Sequence, residues 1–170
     1  MKDLYLRLPE LPEKVNAITV LVRMTDALGF RYRWAVEGLT ERNIAFRPVE
    51  SSMDLKQVLE HIHFLVSRFR LCFTGKNDHA NCPGDSQLII KETLEMIYST
   101  RELILLMDEE ELAACNITRP NGEKASFWYF INGPLADALT HVGQITTWRR
   151  IMGNPVLKSN PFLGLPPEGY

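Results

Sequence analysis

The chain has 170 residues, 45% of them hydrophobic and 24% charged, a globular composition that excludes a disordered or fibrous chain. Lys+Arg at 19 against Asp+Glu at 21 leaves a formal net charge of -2, without the basic excess that grips nucleic acid. Cys72, Cys82 and Cys115 form no CxxC pair, which excludes a disulfide scaffold and a cysteine zinc site and favours a reducing, cytoplasmic compartment.

No apolar run reaches the roughly 18–20 residues of a bilayer span. Met1–Arg7 lacks an apolar core, so no secretory signal and no membrane association are expected. The length predicts one domain over residues 1–170, with a core from 13 to 153 and an irregular tail over 154–170.

A first helix is predicted from Glu13 to Leu39. Val15, Ile18, Leu21, Met24, Leu28, Tyr32, Ala35 and Leu39 recur at the 3/4 spacing of one buried face, with Pro12 at the first turn and Gly38 near the end. A second runs from Met53 to Phe73, capped by Ser51 or Ser52, with Asp54 favouring its positive start. Gly75 to Gly84 reads as a loop. A third covers Ser86 to Met107 and ends in a solvated acidic run, Asp108 to Glu111. Pro120-Asn121-Gly122 between two short β-prone stretches predicts a small hairpin. Phe127–Phe130 fits a helical lead-in or a strand. The fourth helix begins at Pro134, capped by Asn132 or Gly133, and stops at Met152 before Gly153 and Pro155. In the tail, Phe162, Leu163 and Leu165 are candidate docking anchors. Four helices of this length predict an all-α four-helix bundle. Its loops are long for simple up-and-down connections, so crossovers, or loops that build a site at one end, are expected.

Chemistry concentrates on the last helix. Asp137 and His141 stand one turn apart on one face and can both reach a single ion. On a helical wheel with Val142 at zero, His141, Asp137, Trp148 and Gln144 fall between roughly −100° and −160°, beside the apolar stripe. The same two residues can also form a local pair that sets the imidazole tautomer. A third ligand must come from another helix. His61 and His63 fall at about −100° and +100° from Ile62, and periodicity does not choose between them. His79 lies in a loop and is expected to be solvated. There is no phosphate loop, GxSxG or HExxH. Arg149-Arg150 fits a helix-dipole complement, and Arg31, Arg33, Arg68 and Arg70 fit solvated faces.

The segment Asn132-Gly133-Pro134-Leu135-Ala136-Asp137-Ala138-Leu139-Thr140-His141-Val142-Gly143-Gln144-Ile145, with Arg149-Arg150 and Gly153-Asn154-Pro155, resembles the last helix of the DinB/YfiT-like superfamily. Ser52-Met53 through Leu59-Glu60-His61-Ile62, Trp34 through Thr40, and Phe46-Arg47-Pro48 fit the same pattern. The resemblance implies a DinB-like bundle with a divalent metal near one end. It selects His61 as the ligand from the second helix, with Asp137 and His141 from the last. Asp137 stands where the family carries a histidine; two histidines and a carboxylate suit Zn²⁺, Ni²⁺ or Fe²⁺, and the extra negative charge lowers the Lewis acidity of the ion. The family's chemistry implies a small-molecule substrate, a low-molecular-weight thiol co-substrate in transferases, or hydrolysis, and homodimers are common in it. Gln144 would then orient a ligand, and Trp148, Phe127 and Trp128 would wall the pocket. A non-catalytic ligand- or partner-binding bundle, linked to stress and with a degenerate metal site, is the competing expectation.

Overall fold

The computed structural model describes residues 4–75, 82–119 and 121–170. Helix α1 (Ala17–Val36) starts where Asn16 accepts a hydrogen bond from the Thr19 N–H at 2.9 Å and Thr19 Oγ1 answers the Asn16 N–H at 3.0 Å. Pro12 therefore lies outside the helix, contrary to expectation. Thr40 caps a short helix α2 (Glu41–Ile44), which lies between the first two predicted helices. Helix α3 (Leu55–Thr74) is capped by Asp54, paired with Gln57, rather than by Ser51 or Ser52. Helix α4 (Ser86–Leu105) follows Asp85 as its cap.

The acidic run is exposed, as expected, but it opens a further helix rather than only ending α4. Asp108 caps helix α5 (Glu109–Ala114), and Glu109 Oε1 reaches back at 3.0 Å to accept from the Ala17 N–H, one of the open donors of α1. Strands β1 (Asn116–Thr118) and β2 (Lys124–Ser126) pair antiparallel as the expected hairpin. Phe127–Phe130 is helical (α6) and passes without interruption through a π-helical turn, Ile131–Leu135, into α7 (Ala136–Ile151). Asn132 and Gly133 cap nothing. Pro134 sits inside the wide turn, where it has no N–H to give, and the Ala136 N–H bonds back to Ile131 O.

The four long helices form a ring in the order α1, α4, α3, α7. Their side-chain contacts fix direction. His63 meets Glu92 and Arg70 meets Ser99, so α3 and α4 run parallel. Asp26 meets Arg101, and Glu109 meets the start of α1, so α1 and α4 run antiparallel. Ala17 and Ala136 line one groove while Arg149 bonds Ala35 O, so α1 and α7 run parallel. The bundle is thus two parallel pairs, and because α3 and α4 are consecutive among the long helices and parallel, their connection is a crossover, as the loop lengths suggest. Its core is built from such residues as Leu28, Tyr32, Leu59, Ile62, Phe69, Leu94 and Ile145, all essentially inaccessible.

Both ends of the chain lie on this frame. Tyr5 lays its ring over Gly29 between α1 and α4, where an added Cβ would stand 2.4 Å from the ring, and meets Tyr98 edge-on at 6.2 Å. The Leu8 N–H bonds Gly164 O at 3.0 Å. Gly164 (φ 67°) leaves no space for a Cβ against Leu8. That buried glycine docks the tail, while Phe162 and Leu163 are exposed and do not act as the expected anchors.

Arg149 is 2% exposed rather than a surface complement to the helix dipole. Its guanidinium donates to Ala35 O at 2.9 Å, Glu37 O at 2.6 Å, and Asn154 O and Oδ1 at 2.9 and 3.1 Å. It satisfies the open carbonyls at the end of α1 and ties them to the chain leaving α7. Among the described residues no helix is long and apolar enough to cross a membrane.

Candidate metal centre

Helix α3 occupies the corner between α4 and α7, so its two flanks face different partners. His61 turns toward α7. His63 turns toward α4, where it is buried with Nε2 3.5 Å from Glu92 Oε2 and no hydrogen-bond partner; burial lowers its pKa and the Glu92 carboxylate opposes that shift. His63 is thereby separated from the donors on α7. His79 lies outside the described residues.

Asp137 and His141, one turn apart on α7, meet His61 across the helix interface. His61 Nε2 is 3.5 Å from Asp137 Oδ2, and His141 Nε2 is 3.6 Å from Asp137 Oδ1. One donor atom from each of the three residues lies within 4.8 Å of the others, and among the described residues no other set of three His, Cys, Asp or Glu donors gathers in this way. The imidazoles stand edge-to-face with centroids 4.7 Å apart.

These separations exceed those of a charge-assisted hydrogen bond, about 2.7–2.9 Å. Each is close to the roughly 3.3–3.4 Å between neighbouring ligands of a tetrahedral ion, although the two contacts use different oxygens of Asp137 and one atom from each residue gathers only within 4.8 Å. His141 Nδ1 donates to Gln144 Oε1 at 2.7 Å, which places the ring's free lone pair on Nε2, the nitrogen aimed at Asp137. His61 is backed by Phe64, nearly parallel to it at 6.3 Å. Two imidazoles and one carboxylate form a donor set that fits a borderline divalent cation. The side chains of His61, Asp137 and His141 are 35%, 45% and 16% exposed, so the centre opens to solvent.

The other expected site residues lie elsewhere. Trp148, two turns beyond His141, is buried against the ring of Phe46 at 6.1 Å. Phe127 and Trp128 line an apolar groove between α1 and the π turn. Arg149 and Asn154, which position the end of α7, were not read as a pair from the sequence. Their one-dimensional trace is only an arginine five residues before an asparagine beside a helix stop.

No protein-family model and no curated protein matches this sequence. Solved structures match it in shape. YfiT from Bacillus subtilis, described as a probable metal-dependent hydrolase with an unusual four-helix bundle topology, aligns with a TM-score of 0.62 at 14% identity, covering 85% of this chain and 94% of its own. YjoA, a DinB-like protein from Bacillus subtilis, aligns with a TM-score of 0.65 at 19% identity, covering 84% of this chain and 96% of its own. At these identities the likeness is one of architecture, and the chain has the DinB/YfiT-like four-helix-bundle fold.

Proposed function

We propose that His61, Asp137 and His141 hold one divalent metal ion, and that the protein is a metal-dependent enzyme acting on a small molecule by hydrolysis or by transfer to a low-molecular-weight thiol. The observation that carries this reading is the spacing of three donors from two helices, set as ligands of a common centre rather than as hydrogen-bonded partners. The description of YfiT as a probable metal-dependent hydrolase supports the same reading.

Bound there, the ion would supply Lewis acidity, lowering the pKa of a coordinated water or thiol toward neutrality. The chain's own residues do the rest. Gln144 fixes the His141 tautomer and ring angle. Asp137 offers an oxygen to each imidazole side and carries the only negative charge among the three donors. The open face leaves access for a substrate.

Elemental analysis of untagged protein is expected to find about one metal per chain, lost in His61→Ala and His141→Ala. The exposure of Asp137 supports a second reading, in which the carboxylate pairs with protonated imidazoles in a non-catalytic bundle. Metal-free protein that neither Zn²⁺ nor Ni²⁺ stabilises would establish that alternative.

A further inference from the structure

The flank of α7 that faces α1 borders a cavity of about 620 Å³, closed on one side by the chain leaving α7. That volume suits a small organic ligand, for which pockets run about 300–1,000 Å³. Leu139, Val156 and Leu157 provide accessible apolar wall, with the buried rings of Phe30 and Trp34 behind it, and the Trp34 indole N–H has no hydrogen-bond partner. Arg31, Arg150 and Lys158 surround it, and no acidic residue lines it. None of the three cations forms an ion pair among the described residues, and Arg31 has only a long bond, 3.4 Å, to the Ala27 carbonyl of its own helix. Arg150, in the last turn of α7, also complements that helix end. This does not account for Arg31, from α1, or Lys158, from the tail. Three cations lining one cavity with no carboxylate among them, in a chain of net charge -2, are poorly explained as solvated faces.

We propose that this cavity binds a small organic anion, its phosphate or carboxylate held by Arg31, Arg150 and Lys158 and its apolar body laid against Leu139, Val156 and Leu157. The site is separate from the three-donor centre, which lies on the α3 flank of the same helix.

The test is calorimetric titration of the full chain, in low salt with EDTA, using 1-naphthyl phosphate, 1-naphthoate and uncharged 1-naphthol. Saturable one-to-one binding of at least one anion is expected, with naphthol at least ten-fold weaker. The Arg150→Gln/Lys158→Gln variant should weaken the anion roughly ten-fold or more. Lys56→Gln/Lys91→Gln, which removes the same charge from other faces, should not. His141→Ala should bind as wild type does. The proposal is overturned if neither anion saturates, if naphthol binds equally, or if both charge variants behave alike. It is also overturned if binding vanishes in His141→Ala, which would move the anion to the three-donor centre and leave the metal reading intact. The phosphate and carboxylate arms identify which headgroup the cavity prefers.

Discussion

Arg149 shows how far a residue's role can depart from its local context. Two arginines at a helix end read as complements to the dipole, and for Arg150 this description still holds. Arg149 instead enters the interior because the carbonyls of Ala35 and Glu37, more than a hundred residues away, lie open beside it. No window of the sequence contains both partners. Arg149→Met should destabilise the fold by about 3 kcal/mol or more in urea unfolding, since it leaves buried acceptors unpaired. Arg149→Lys should recover only part of that, because an ammonium lacks the planar fork.

Asp26 lies at the same scale, 2% exposed, with Arg101 Nε at 3.0 Å. Burial pushes its carboxyl pKa up, and the arginine only partly reverses the shift. A raised folded-state pKa means that the native protein binds more protons than the unfolded chain between the two values. Stability from this group is therefore greatest in acid and falls as pH rises through the folded pKa. The unfolding free energy of wild type minus that of Asp26→Asn should decline from about pH 4 toward neutrality. An increase over that interval, in urea midpoints measured at stepped pH, would show that Arg101 outweighs burial.

At the scale of elements, the four long helices were legible because their apolar stripes are strong: Ile18, Leu21, Leu28, Tyr32, Ala35 and Leu39 are buried as the periodicity predicts, whereas Val15, which precedes α1, and Met24, on the edge of its stripe, are exposed. Their ends were less so, because Asn16, Asp54 and Asp108 cap by geometry that competes with neighbouring Ser, Thr and Pro signals. The choice between His61 and His63 was closed to periodicity for a structural reason. A corner helix has two packed flanks, and the two histidines serve one each, His63 buried and His61 partly open. Asp137 and His141 were legible as a pair, since both sit on one helix, but His61 as the residue facing them was selected only through a family resemblance. The seating of Tyr5 over Gly29 left no trace in the spacing at all. Gly29→Ala should lower stability by about 1–3 kcal/mol through overpacking. In the Tyr5→Ala background the same change should be nearly neutral, and a double-mutant cycle reads the coupling.

For the whole molecule, the proposed metal joins α3 to α7 and thus closes a long stretch of chain through a single centre. An ion that binds only the native state raises stability by mass action, about 2.7 kcal/mol at a hundred-fold excess over its Kd. Micromolar Zn²⁺ or Ni²⁺ should raise the thermal midpoint of metal-free wild type and leave that of His61→Ala unmoved. The two parallel pairs make this linkage global: α7 is antiparallel to α3 and parallel to α1, so a clamp on one side is felt through Arg149 at the end of α1.

The π turn at Ile131–Leu135 carries one more consequence. A π turn amounts to a single residue inserted into an α-helix, and each residue advances the azimuth by about 100°. The widened loop around Pro134 therefore acts as a phase setting for everything downstream. Excising one position there would swing Asp137 and His141 about a quarter-turn away from His61, leaving every donor in the sequence and dispersing the constellation they form.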